Sequence, residues 1–384
     1  MGRIAAKALN RVIIDADEAL SHKLRQPLGE FVNENGWPAF RVEELALLKD
    51  LLESKPTGHV ISLGGGVVEV PEARELLLQW MREKGPVVNV IRDIEEIVDY
   101  LESEKTRPSL GEPLESIYAR RKPFYEQCSS YEIITHIAGH VMFKYRGHNG
   151  HTSSHITTNV LERRAGSERD TARFFRFITG QNNLPFDLIH DRTAFLALTF
   201  PDLSPALPVM PRITAGVDAI ELRVDLLSQD GKKVTTPAIP PQTYVAKQLS
   251  QLRETTDLPI VFTVRTHSQG GMFPDNAEDS MFELLQLGIR LGCEFVDVEC
   301  GWNKTKTAGL VGSKGYTKII ASYHEWTGAL KWDSDEVQRI YDLARQHGDI
   351  VKICLTALDI SDNYKMMAFR DKMPKDVPLM TIPM

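Results

Sequence analysis

Cysteine is scarce in this chain: Cys128, Cys293, Cys300 and Cys354 are the only four among 384 residues, and no two form a CxxC pair. That excludes a disulfide framework and argues for a reducing compartment in which thiols serve as small core residues. Long apolar runs are also missing. None reaches the roughly 20 residues needed to span a bilayer, and the N-terminus lacks a basic-then-apolar leader. Positive charge is not in excess, since 45 Lys and Arg stand against 52 Asp and Glu for a formal charge of −7. The electrostatic footprint of a nucleic-acid binder is therefore absent. These totals lead to the expectation of a soluble, intracellular, globular protein of two or three domains, with no membrane partner and no direct nucleic-acid binding.

What is present begins as α/β. Val12-Ile13-Ile14 reads as a short strand that runs into Asp15 and Asp17, and Gly58–Leu63 as a second that ends in Gly64-Gly65-Gly66. Pro71 opens a helical stretch through Met81, proline being favoured at a first helical position. Pro86–Ile91 reads as a third strand and Asp93–Leu101 as a further helix. From residue 136 to about 190 the periodic pattern gives way to a His/Gly/Ser-rich stretch, read as an insertion and linker. His136, His140, His148, His151 and His155 lie within it, but no Cys or carboxylate pattern supports them, so a solvated loop is expected and no metal.

From about residue 191 the pattern becomes regular. Apolar strands are expected at Phe195–Phe200, Ala219–Leu226, Ile260–Arg265, Phe295–Glu299, Lys318–Ser322, Val351–Leu355 and Pro378–Met384, mostly separated by amphipathic helical segments such as Tyr244–Arg253 and Met281–Leu291. Alternation of this kind implies parallel strands with helical crossovers. Seven such strands, several carrying charge at their C-terminal ends, predict a (β/α)8 barrel short of its last strand, with its site at that face.

Four strand ends hold the reactive residue types: Glu221 and Arg223, Arg265 followed by Gln269, His324, and Lys352. Alternation places Glu221 and Arg223 on one face. Lys352 sits between Val351 and Ile353, where desolvation should favour the neutral amine that attacks a ketone. His324 should move a proton near neutral pH. Taken singly, each has a structural reading: an edge lysine, a satisfied core histidine, a structural Glu–Arg pair. Four at successive strand ends of one barrel favour the chemical one.

These motifs resemble type I 3-dehydroquinate dehydratase over Phe195–Met384, and the segment Phe262–Asp275 is similar to the form found in the arom polypeptide of fungi. The resemblance implies that Lys352 forms an imine with the C3 ketone of 3-dehydroquinate and that His324 is the general acid/base. It further implies that Glu221, Arg223 and Arg265 hold the substrate and its polar surroundings. Gln269 stands where bacterial members carry a glutamate near the histidine, and an amide cannot raise the histidine pKa as a carboxylate does. No cofactor is implied.

The first third resembles shikimate kinase in the order of Asp15 and Asp17, Arg41 with Glu44, Gly64-Gly65-Gly66, Arg107-Pro108 and Arg120-Arg121. By that resemblance Asp17, Arg41, Gly65 and Arg121 would bind shikimate, Asp15 would lie near a magnesium ion and Arg107 near the nucleotide. No G-x-x-x-x-G-K-[ST] loop occurs in the sequence, so phosphoryl transfer is not expected and the shikimate-binding set reads as vestigial. The domain order expected is thus a kinase-like domain over 1–135, lacking its first strand and phosphate loop, the insertion over 136–190, and a dehydroquinase-like barrel over 191–384. This order resembles the arom-type multidomain family, either a fragment of the arom enzyme or the related fungal quinate repressor. The first implies a cytoplasmic lyase. The second implies a nuclear metabolite sensor that binds a transcriptional activator protein without turnover. A homodimer is compatible with both.

Overall fold

A computed structural model describes residues 1–94, 97–98, 111–135, 154–181 and 193–384, with side chains from residue 165 onward in the helix that begins at Ser154. The chain divides into two compact units, Met1–Asn182 and Asn183–Met384.

In the first unit, α1 (Gly2–Leu9) precedes β1 (Val12–Asp15), followed by α2 (Ala16–Leu24), α3 (Leu28–Ser54), β2 (His59–Ser62), α4 (Pro71–Glu83) and β3 (Val88–Ile91). Then come α5 (Leu114–Gln127), β4 (Tyr131–Ile134) and α6 (Ser154–Ile178). Strands β1 and β2 pair in parallel, as do β3 and β4. The long α3 is kinked at Gly36, whose φ of 79° is open to glycine at little cost, just before Pro38. The helix expected over Asp93–Leu101 lies largely outside the described residues, as do Arg107, His136, His140, His148 and His151. The expectation of a linker over 136–190 needs correction for Ser154–Ile178, which is helical. Polar composition hid a narrow apolar face: Phe174, Phe177 and Ile178 pack on Tyr131 and Ile133 of β4, and tertiary burial of such a face stabilises a helix of weak intrinsic pattern.

The second unit is one seven-stranded sheet, all parallel, in which neighbours in sequence are neighbours in space. Its strands are β5 (Phe195–Leu198), β6 (Ala219–Arg223), β7 (Ile260–Thr263), β8 (Phe295–Glu299), β9 (Lys318–Glu325), β10 (Ile350–Leu355) and β11 (Leu379–Pro383). Helices α7 (Gln242–Thr255), α8 (Glu278–Arg290), α9 (Lys304–Gly312), α10 (Asp335–Ala344) and α11 (Ile360–Lys372) make the crossovers from β6 onward. All seven strands expected from the apolar runs form.

The sheet is strongly curled. Four inter-strand steps separate β6 from β10, about 19 Å in a flat sheet, yet the Lys352 Nζ lies 3.3 Å from Glu221 Oε1. The concave side has an apolar floor of Val261, Phe295, Ile320 and Ile350 with Met380 against them. Two residues further along each of the four floor strands, on the same face by alternation, come Thr263, Asp297, Ser322 and Lys352. On the convex side, Val351, Ile353 and Leu355 of β10 pack on Val337, Ile340, Tyr341 and Phe369 of the covering helices.

Gly288 of α8 faces Phe262 of β7, and a Cβ added there would lie 2.7 Å from the Phe262 Cγ. Phe262 is fully buried and cannot move aside. Gly288→Ala should therefore destabilise the unit by about 1–2 kcal/mol through overpacking, despite the better helix propensity of alanine. Denaturant melts read this directly, and a neutral or stabilising result would show that the helix can lift from the sheet.

Candidate active site

Lys352 lies in the middle of β10, paired in register with Ser322 of β9, while Cys354 pairs with His324. Lys352 is only 4% exposed, and its Nζ sits 3.3 Å from both Glu221 Oε1 and Asp297 Oδ2. The Phe195 ring of β5 lies 5.3 Å from the same nitrogen. Glu221 also accepts from Thr263 Oγ1 at 2.8 Å. Asp297 accepts from Ser322 Oγ and forms an ion pair at 2.8 Å with Arg265 Nη2.

Arg265 is 3% exposed and donates through Nη1 to Glu299 Oε1 at 3.0 Å and to Ser322 Oγ at 2.9 Å. Glu299 in turn accepts from the backbone N–H and hydroxyl of Thr266, which anchors the loop after β7. The result is a buried network in which Lys352 and Arg265 face the carboxylates of Glu221, Asp297 and Glu299. Pairing each buried cation with carboxylates in this way avoids the large cost of an isolated buried charge.

The electrostatics correct two expectations. Burial alone would depress the Lys352 pKa, but the Asp297 and Glu221 carboxylates outweigh it and hold the ammonium above the ordinary lysine value. The amine is thus not the neutral group that an apolar strand suggests. For His324 the correction runs the other way. Burial, with the Arg265 cation beside it, pushes the imidazole down to about 2, so it is neutral throughout the working pH range rather than poised near 7. Asp297 is buried too, yet the cations of Arg265 and Lys352 hold its carboxyl well below the usual range. Burial, on the other hand, raises Glu299.

The remaining expected residues fall as follows. Arg223 makes a two-pronged contact with Asp225, at 2.9 and 2.8 Å. Gln269 accepts the His324 backbone N–H at 3.0 Å, so it braces the strand end that carries the histidine and makes no contact with the ring. The ring Nδ1 is buried and has no hydrogen-bond partner among the described residues, leaving it available to a ligand.

Sequence reasoning did not single out Asp297, Glu299, Ser322 or Asp225. The signal for the first two was legible: Phe-Val-Asp-Val-Glu places two carboxylates at alternate positions of an apolar strand, as Glu221 and Arg223 are placed.

In the first unit, Arg41, Arg121, Asp17 and Gly65 come together at the glycine-rich end of β2. A Cβ on Gly64 would lie 3.2 Å from Asp17 Oδ1 and 3.2 Å from Glu44 Oε1, and one on Gly66 would collide with the Arg41 guanidinium at 2.0 Å. Glycine is needed here because the side chains crowd the backbone. Tyr125 Oη donates to the Gly65 carbonyl at 2.7 Å. Arg41 donates to Glu44 at 2.6 Å and to Glu69 at 3.1 Å, while Arg121 donates to Glu69 at 3.0 Å. Asp15 accepts the backbone N–H groups of Asp17 and Glu18 and caps α2. Among the described residues no cluster of three or more His, Cys, Asp or Glu is arranged to hold a metal ion, and no helix is long and apolar enough to cross a membrane.

Family comparisons match this division. Residues 194–384 match the type I 3-dehydroquinase model and residues 1–147 the shikimate kinase model. The pentafunctional AROM polypeptide of Mycosarcoma maydis is 44% identical over 381 residues, 97% of this chain and 22% of that protein. The chain thus spans about a fifth of the length of this curated relative. Among solved structures, the dehydroquinate dehydratase and shikimate dehydrogenase from S. pombe AroM is 39% identical, covering 51% of this chain and 37% of that one at a TM-score of 0.47. Shikimate kinase from Acinetobacter baumannii in complex with shikimate is 26% identical, covering 35% of this chain and 75% of that one at a TM-score of 0.32. These matches join a shikimate kinase family segment over residues 1–147 to a type I 3-dehydroquinase family segment over residues 194–384, in a chain that is similar to the AROM polypeptide along nearly its whole length.

Proposed function

We propose that the second unit is a lyase that dehydrates 3-dehydroquinate to 3-dehydroshikimate through an imine on Lys352. The observation that carries this reading is a lysine at the centre of a curled parallel sheet, held between Glu221 and Asp297 with the strand bearing His324 beside it.

The raised lysine pKa fits the chemistry. The ammonium must give up a proton before Nζ attacks the C3 carbonyl, so the neutral amine is a minor form that becomes more populated as pH rises. Once water has left, the protonated imine carries positive charge at the same nitrogen. The two carboxylates that favoured ammonium then favour iminium, which draws electrons from C2 and acidifies its proton. A neutral imidazole can accept that proton, and His324 is neutral. The C1 hydroxyl takes up a proton and departs as water. Hydrolysis of the imine returns the amine, so the net change is loss of one water.

Arg223, whose side chain is 18% exposed, is the cation placed to meet substrate oxygens, and Glu221 lies beside it. Arg265 is fully committed to Asp297, Glu299 and Ser322 and acts as a positioning residue. In the first unit, Asp17, Arg41, Gly65 and Arg121 are assigned to a hydroxy-carboxylate ligand of the shikimate class. No phosphoryl transfer is assigned to these 384 residues, because no phosphate-cradling G-x-x-x-x-G-K-[ST] loop occurs among them.

Borohydride reduction in the presence of 3-dehydroquinate should add one dehydrated ligand mass at Lys352, read by peptide mass spectrometry; label at a different lysine would refute the imine assignment. His324→Ala should lower the rate of enone appearance on the order of a hundred- to ten-thousand-fold. A protein that forms the adduct but never turns over would instead be a sensor. The kcat/KM profile of the wild type should show no step near pH 6.5 attributable to His324 and should rise toward alkaline pH as Lys352 loses its proton. A step near 6.5 that vanishes in His324→Ala would contradict the neutral-imidazole assignment. Asp297→Asn should destabilise the unit by about 3–5 kcal/mol by leaving Arg265 and Lys352 short of a counter-charge, and should lower the Lys352 pKa. Unchanged stability would mean that the network re-forms without it.

A further inference from the structure

Glu69 follows the glycine run of the first unit, at the end of a helical turn over Val67–Glu69. Three guanidinium groups converge on its carboxylate. Oε2 accepts from Arg41 Nη2 at 3.1 Å and from Arg121 Nη2 at 3.0 Å, and Oε1 accepts from Arg120 Nη2 at 2.7 Å. Arg41 and Arg121 are largely buried, with side chains 16% and 11% exposed, and the Arg121 Nε is buried without a partner. Arg120 is held from its other side by Glu112, and Arg41 by Glu44. The Glu69 backbone is fixed as well, because Arg74 donates to the carbonyls of Val68 and Glu69.

Two arginines sharing one carboxylate oxygen, with a third on the other oxygen, is the arrangement that proteins use to seize a small anionic ligand. Here a residue of the chain itself occupies it. The cations also hold the Glu69 carboxyl down at about 2, with Arg121 and Arg120 as the chief partners against a smaller burial effect than their sum, so protonation does not open the seat at any physiological pH.

We propose that Arg41, Arg120 and Arg121 form an anion seat that Glu69 closes with its own carboxylate, so that a carboxylate or phosphate ligand enters only by displacing Glu69. This regulates the site to which a hydroxy-carboxylate was assigned above and rests on that reading only for the identity of the ligand. Glu69 is 24% exposed at its side chain, so a path outward exists. The seat is thereby set for ligands that bring more than one contact. A lone anion merely exchanges one carboxylate for another, whereas a ring bearing hydroxyls also gains the Asp17 and Gly65 side of the site.

The test uses the whole chain with two probes, inorganic phosphate and shikimate, measured by titration calorimetry on the wild type and on Glu69→Ala. Opening the seat should tighten phosphate at least tenfold, and adding Arg41→Ala to Glu69→Ala should abolish the gain. Shikimate should tighten in parallel. A gain for phosphate alone would uphold the closed seat and overturn the hydroxy-carboxylate assignment. Weaker or unchanged binding of both probes in a Glu69→Ala protein with a native melt would show that Glu69 merely orders the arginines, and the proposal would be wrong. Should Glu69→Ala fail to fold, Glu69→Gln keeps the shape while removing the charge, and the same tightening of phosphate is expected. No tightening there overturns the closure.

Discussion

The second unit is organised around Asp297. It is fully buried, yet it remains charged because Arg265 and Lys352 face it from different strands and Ser322 donates to it. Each of these partners depends on the others. Lys352 could not be buried in β10 without the two carboxylates, and Arg265 could not be buried beside it without Glu299. The curl of the sheet brings these strands together, and the pairing of opposite charges within the curl makes the polar layer above the apolar floor tolerable.

That pairing also decides the state of the lysine. A lysine buried among hydrophobic groups alone would be a neutral nucleophile, while one held between carboxylates is a site for positive charge on nitrogen. The geometry favours positive charge on the lysine nitrogen, while the buried His324 imidazole carries none.

The first unit solves a related problem in the opposite sense. Three arginines crowd the glycine-rich end of β2, and without a partner they would repel one another. Glu69 supplies the counter-charge from within the chain. In the first unit the cations also restrict the backbone beside them: the Arg41 guanidinium lies where a Gly66 side chain would be.

The sequence by itself determined the strand order, because apolar runs of five to eight residues separated by amphipathic helices admit little but a parallel crossover sheet. It also made Lys352, His324, Glu221 and Arg223 conspicuous as polar residues within or at the ends of apolar strands. It did not reveal the helix over Ser154–Ile178, whose apolar positions are few and matter only once β4 is there to receive them. Nor could it settle the protonation states. Val351 and Ile353 are chain neighbours of Lys352, but they point to the convex side, while Glu221 and Asp297 lie 131 and 55 residues away in sequence and at 3.3 Å in space. A pKa follows from what surrounds a group across strands. Only the curled tertiary structure, which brings β6 and β8 to β10, decided that Lys352 is held as a cation and that the His324 imidazole is neutral.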